Sequence, residues 1–147
     1  MRILVVCAGN TCRSPAAEAA IRRAGERAGL DLEVSSAGTS AEQVGTPPTP
    51  AMVEAGRARG LEISGTAKQV APADLESADF VLAMDRQTEL FLGTLGKVAP
   101  VKLLASFDAA AANAEIADPY GGDADAYAET LDRIISASEA LVASLTD

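Results

Sequence analysis

The chain has 147 residues, 48% hydrophobic but only 3% aromatic, with a net charge of −9 and no histidine. That length fits one domain that buries roughly two-thirds of its unfolded surface around a core of aliphatics and alanine. The acidic balance argues against a nucleic-acid partner, and no apolar run nears the roughly 20 residues of a membrane span, so a cytoplasmic monomer is expected.

Residues 2–6 are apolar and β-branched with little alternation, which predicts a strand buried on both faces of a parallel sheet. Ser14 then reads as a helix N-cap and Pro15 as the first helical residue, where its missing N–H costs nothing. Ala16, Ala17, Ala20, Ile21, Ala24 and Ala28 form an apolar stripe, closed by Gly29. Leu32 to Ser35 is a second short strand, and residues 37–50 are a loop rich in Gly, Ser, Thr and Pro. A helix is predicted from Thr49-Pro50 to about Arg59, ended by Gly60.

Asp79 to Met84 is predicted as a third strand, Arg86 to Leu95 as a helix and Pro100 to Leu104 as a fourth strand. Residues 105–117 are alanine-rich and irregular and lead into Asp118-Pro119-Tyr120-Gly121-Gly122. The last helix has the clearest period, through Tyr127, Leu131, Ile134, Ser138, Leu141 and Leu145. Strands alternating with helices predict an α/β fold. It is a single-domain, doubly wound sheet of four mainly parallel strands with helices on both faces. Sites in such sheets lie at the carboxyl ends of strands, where Cys7 falls.

The stretch Cys7-Ala8-Gly9-Asn10-Thr11-Cys12-Arg13-Ser14 carries the chemistry. A loop of five residues between Cys7 and Arg13 can curl until its backbone N–H groups point inward, making an anion site at a helix N-terminus. Arg13 would clamp phosphate oxygens with two prongs, which lysine cannot do. A lone cysteine is usually inert packing and a lone arginine usually solvated. Their spacing around this loop favours a reactive thiolate at Cys7 instead. Charge agrees: residues 1–30 carry five arginines against Glu18 and Glu26, a net +3, so the remainder carries −12. Without histidine, Ser-His-Asp and Cys-His arrangements are impossible and the usual zinc ligands are missing, so no metal or cofactor is expected. A proton must then move through a carboxylate, and Asp118 is the best candidate, fixed before Pro119 and shielded by Tyr120. Asn10 tolerates the left-handed conformation such a loop requires. Cys7 and Cys12 lie too close in sequence to form a structural disulfide framework.

C-A-G-N-T-C-R-S-P, followed about a hundred residues on by Asp118-Pro119-Tyr120, resembles the low-molecular-weight protein tyrosine phosphatases. Ser36-Ala37-Gly38 and Ala83-Met84-Asp85 match that family too, so the resemblance covers the whole chain in order. It implies that Cys7 forms a phosphocysteine, with Ala8, Gly9, Asn10, Thr11, Cys12 and Ser14 binding phosphate. It also implies that Ser14 donates to the Cys7 sulfur and Ser36 holds Asn10. Asp118 protonates the leaving group and later activates water, and Tyr120 lines the substrate side. Asp85 would support the site structurally, and Cys12 could pair reversibly with Cys7 under oxidation. Phosphorylated proteins are the implied partners, with inorganic phosphate or other oxyanions in the loop.

The family pattern is broken at three rim positions. Thr11 stands where an aliphatic residue is usual, Gly121 where a second tyrosine is common, and no aromatic occurs between Ala37 and Pro48. Thr11 with D-P-Y-G-G is similar to the bacterial protein arginine phosphatases, a branch of the same family. Phosphoarginine is therefore slightly favoured over phosphotyrosine. An arsenate reductase would need further cysteines after Cys12. Phosphocysteine carrier domains would not need Arg13 or Asp118, and a non-catalytic phosphate-binding module remains the binding-class rival.

Overall fold

The computed structural model describes residues 1–95, 100–109 and 115–146. Four strands, β1 (Arg2–Cys7), β2 (Glu33–Gly38), β3 (Phe80–Ala83) and β4 (Val101–Leu103), form one sheet. Their order is β2-β1-β3-β4, and every pairing is parallel. The helices are α1 (Arg13–Arg27), α2 (Pro50–Ala58), α3 (Pro72–Ser77), α4 (Arg86–Gly93) and α5 (Ala124–Leu145).

β1 is central, and its side chains alternate between two cores. Ile3, Val5 and Cys7 join the core made with Ala16, Ala20 and Ile21 of α1 and Leu131, Ile134 and Leu141 of α5. Leu4 and Val6 join Val81, Ala83, Leu75 of α3 and Leu92 of α4. A strand covered on both faces has to be apolar throughout, which is why residues 3–7 show no polar alternation. Each fully buried leucine or isoleucine contributes roughly 1.5–3 kcal/mol of transfer free energy. The register Val6 to Ala37 and Ala83 brings the carboxyl ends of β1, β2 and β3 level, and the loops that follow share one rim.

Several boundaries differ from the sequence reading. α1 starts two residues before Pro15, with Cys12 as its N-cap, so Ser14 is inside the first turn and is not the cap. Its hydroxyl is drawn instead to groups within the loop. The stripe on α1 passes through Gly25 rather than exposed Ala28, because a Cβ at Gly25 would meet Leu32 Cδ1 at 2.8 Å. β2 runs on to Gly38, where Gly38 N donates to Lys68 O and Val70 N to Gly38 O. The unpredicted α3 has six residues, too few to show a period, and an alanine N-cap that hides the Asp74 side chain returning to Ala71 N. Leu104–Phe107 is a 3₁₀ turn within the stretch read as strand end and irregular chain; residues 110–114 of that stretch lie outside the described residues.

Candidate active site

The link from β1 to α1 bends at Asn10, the only non-glycine residue among the described residues with a left-handed backbone, at φ +57°. Asn10 is buried, and its side chain spans the inside of the bend. Nδ2 donates to Ser14 Oγ at 2.8 Å and to Ser36 Oγ at 3.0 Å, while Oδ1 accepts from Lys68 N at 3.0 Å. A backbone N–H can only donate, so the amide oxygen must face Lys68. Ser14 Oγ lies 3.0 Å from Cys7 Sγ. Because Ser14 already accepts from Asn10, its own proton can turn to the sulfur or to Ala37 O, 3.5 Å away.

The outer side of the loop is tied through backbone. Thr39 N donates to Cys7 O, Ser40 N to Ala8 O and Thr49 N to Thr11 O, all within 3.0 Å. Gly38 admits this approach: a Cβ there would sit 2.6 Å from Ala8 O and 3.1 Å from Asn10 N. The loop therefore needs glycine at position 38 for space.

Arg13 is buried, with its side chain only 5% exposed. Nη1 donates to Asp85 Oδ2 and to Ile116 O, each at 2.8 Å. Nε and Nη2 have no bond among the described residues, and Arg13 lines the cleft above Cys7. Burial alone would weaken the Arg13 charge. The Asp85 hydrogen bond and the charges of Cys7, Asp85 and Asp118 outweigh it and hold the guanidinium above its ordinary value. Burial likewise opposes ionisation of Asp85, but Arg13 and Thr88 together keep its carboxyl below the usual range. Asp85 also accepts from Thr88 N at 2.8 Å, capping α4.

The cleft encloses about 530 Å³. It is lined by the loop residues Cys7, Ala8, Gly9, Thr11, Cys12 and Arg13 and, from other segments, by Glu42, Gln43, Thr46, Asp118 and Tyr120. Asp118 is reached through Ile116, which is buried, donates from its N to Met84 O at 2.9 Å and accepts Arg13. Tyr120 N donates to Asp118 Oδ1 at 3.1 Å, as in an Asx turn. The expected shielding of Asp118 by Tyr120 does not occur: Asp118 is exposed and Tyr120 is 83% exposed. Pro119 is the buried residue of the turn, so the residues on either side of it stand outward.

The family model for low molecular weight phosphotyrosine protein phosphatase matches residues 2–147. The chain belongs to that family. Among its relatives, a protein-arginine-phosphatase of Bacillus subtilis is 35% identical over 91% of this chain and 89% of its own length. A protein tyrosine phosphatase of Entamoeba histolytica, solved with Hepes in the active site, superposes with a TM-score of 0.93 at 28% identity, covering 99% of this chain and 97% of that one. The YwlE arginine phosphatase, solved as a mutant with a phosphorylated active-site serine, gives 0.89 at 33% identity, covering 100% and 97%.

In this phosphatase fold the residues singled out from sequence gather around one cleft. Cys7, Arg13, Asp118, Thr11, Cys12 and Tyr120 line it, and Asn10, Ser14, Ser36 and Asp85 lie behind it in direct hydrogen-bond contact with the loop. Cys12 is buried, and burial, followed by the charges of Asp118 and Cys7, pushes its thiol up to about 12. Cys12 is a neutral thiol beside the site. Ser40, Gln43, Thr46 and Ile116 were missed. They belong to loops whose relation to Cys7 appears only when β2 and β3 stand beside β1. The Ser-Thr-Pro composition of residues 39–50 was the available signal for the first three.

Proposed function

We propose that the chain removes phosphoryl groups from phosphorylated protein side chains through a phosphocysteine on Cys7, with phosphoarginine preferred to phosphotyrosine. The observation that carries this reading is Ser14 Oγ at 3.0 Å from Cys7 Sγ, beside a cleft that Cys7 lines with Arg13 and Asp118. In the first step the Cys7 thiolate attacks phosphorus, and the bond from phosphorus to the leaving oxygen or nitrogen breaks. Asp118 gives its proton to that atom, while Arg13 Nε and Nη2 and the loop N–H groups of residues 8–13 meet the phosphoryl oxygens. In the second step Asp118 takes a proton from water, whose oxygen attacks phosphorus. The S–P bond breaks, releasing inorganic phosphate and the Cys7 thiolate.

Substrate choice rests on the rim. Among the described residues Tyr120 is the one aromatic that lines the cleft, and Thr11, Glu42, Gln43 and Asp118 are polar or acidic. Such walls suit a guanidinium better than a ring, since the Thr11 hydroxyl and the carboxylates can accept its N–H groups. The phosphotyrosine reading is favoured by one feature, exposed Tyr120 lining the same cleft as Pro47 and Pro48, which offers a ring some apolar contact. Activity on aryl phosphates is expected in either case. The chain acts as a monomeric, single-domain cytoplasmic enzyme in this proposal, and none of its helices among the described residues is long and apolar enough to cross a membrane.

The test is kcat/KM on a phosphoarginine and a phosphotyrosine peptide, wild type beside Thr11→Ile. Wild type should favour phosphoarginine, and the substitution should shift the ratio roughly ten- to a hundredfold toward phosphotyrosine, mostly by losing the former. A wild-type preference for phosphotyrosine with an unmoved ratio would make Thr11 a packing residue and the enzyme an ordinary tyrosine phosphatase.

A further inference from the structure

The outer edge of β2 carries backbone groups that the fold leaves unused. Glu33 N donates to Met1 O, so in the parallel ladder the N–H and C=O groups of Glu33, Ser35 and Ala37 point to β1. Those of Val34, Ser36 and Gly38 point away from the sheet. Gly38 is served by a later stretch of chain: its N donates to Lys68 O, and its O accepts from Val70 N. Val34 O accepts from Arg22 Nη2 at 2.7 Å. Ser36 lies between them. Its N–H and C=O, and the Val34 N–H, have no hydrogen-bond partner among the described residues.

The cause is competition for one donor. Were the ladder at Gly38 continued one step back, Lys68 N would donate to Ser36 O, and Ser36 N to Thr66 O. Lys68 N donates instead to Asn10 Oδ1 at 3.0 Å. Beside the interrupted ladder is a cleft of about 230 Å³, whose lining includes Val34, Ser36, Ser64, Gly65, Thr66 and Lys68. Val34 is only 7% exposed and Ser36 only 9%, and backbone groups so covered need partners. A group that offers C=O to one and N–H to the other, at strand spacing, is an extended peptide.

We propose that this edge of β2 is a docking site for an extended segment of the phosphorylated protein, which adds to the strand through Ser36 N and Ser36 O while its phosphorylated side chain enters the cleft at Cys7. This rests on the reading of the chain as a phosphatase of protein side chains. Pro48 lines both clefts, so a peptide that crosses Pro48 passes from one to the other. The charged side chains of the docking cleft are already paired, Glu18 with Arg22 and Lys68 with Asp74. Recognition there therefore falls to the main chain and tolerates many sequences, with apolar contact from Val34 and Pro48.

The experiment uses alanine-rich peptides that carry one phosphotyrosine or one phosphoarginine and are N-methylated at one backbone position at a time. An activated aryl phosphate serves as the substrate without a peptide chain. N-Methylation removes the donor that Ser36 O would accept. At one position away from the phosphorylated residue kcat/KM should fall roughly three- to tenfold, through KM, for both phosphorylated residues alike. This scan is read on the wild type and needs no variant to fold. Ser64 and Thr66 are exposed, and a ring at either position would fill the cleft. In Ser64→Trp or Thr66→Trp the unmethylated peptide should lose a similar factor, the scan should become flat, and turnover of the aryl phosphate should stay unchanged. A flat scan in the wild type overturns the proposal and leaves the Ser36 groups to solvent. So does a sensitive position that survives both tryptophan variants, or an equal loss on the aryl phosphate. Titration of the same peptides onto Cys7→Ser protein reads docking without turnover. Hydrolysis that persisted in Cys7→Ser would remove the catalytic reading and leave the docking result standing.

Discussion

The loop at residues 7–14 and the turn at residues 118–122 face the same cleft and are held by different means. In the loop Cys7, Asn10, Arg13 and Ser14 are each no more than 4% exposed, and their side chains bond to one another, to Ser36, to Asp85 and to Ile116 O. In the turn Asp118 and Tyr120 are exposed, and the anchors are backbone and packing: Ile116 N to Met84 O, buried Pro119, and Gly122 N to Pro119 O. In the proposed mechanism the contrast follows from what each half would handle. A phosphoryl group always presents the same oxygens and charge, so its receptor gains from being fixed in advance. The atom leaving phosphorus differs between substrates, and an exposed carboxyl and ring can meet more than one.

The two halves can be separated by substitution. Cys7→Ser should have the largest effect, at least about 10⁴-fold in turnover on every substrate, with oxyanion binding kept. Steady-state hydrolysis beside phosphate competition checks both parts, and unchanged hydrolysis would remove the nucleophile from the loop. Asp118→Ala should cost about 10²–10⁴-fold on a poor leaving group and far less on an activated aryl phosphate, whose oxygen leaves unaided. Equal losses on both would reassign the turn to structure.

Asp85→Asn tests the fixed half without touching substrate. It leaves the buried Arg13 guanidinium without its carboxylate and should cost about 1–3 kcal/mol in denaturant unfolding. The sign with pH follows from the lowered value of Asp85 in the folded chain. Its stabilisation is fully present above the ordinary aspartate value near 4 and is lost as pH falls below that through the folded value. The acid limb of stability should therefore be shallower in Asp85→Asn, and an identical limb would show that Asp85 contributes no ionic stabilisation. The smallest effect concerns Cys12. With its thiol pushed up to about 12, it should remain unlabelled by iodoacetamide at pH 7 while Cys7 reacts. Two equally fast labels in the native protein would contradict that.

The loop was legible because its chemistry is local. Cys7, Asn10, Arg13 and Ser14 lie within eight residues, and spacing put Cys7 and Arg13 around one loop, while the contact of Ser14 with the sulfur was implied by the family resemblance. Glu18, by contrast, reads from sequence as an ordinary charged helix residue. Only the register that sets Val5 beside Ser36 puts the Ser36 hydroxyl within reach of both Asn10 and Glu18.

By itself the sequence determined the parallel sheet, and it pointed to an anion-binding loop and to a carboxylate in place of histidine. These follow from apolar runs, turn chemistry and composition, all of which act over a few residues. The tertiary structure decided the rest: that α1 begins at Arg13 with Ser14 turned toward sulfur, and that Asp85 and Ile116 hold one edge of Arg13. It also decided that Pro119 is buried while Asp118 and Tyr120 stand out. Those outcomes depend on contacts between residues up to 103 positions apart, and such contacts exist only once the strands have paired.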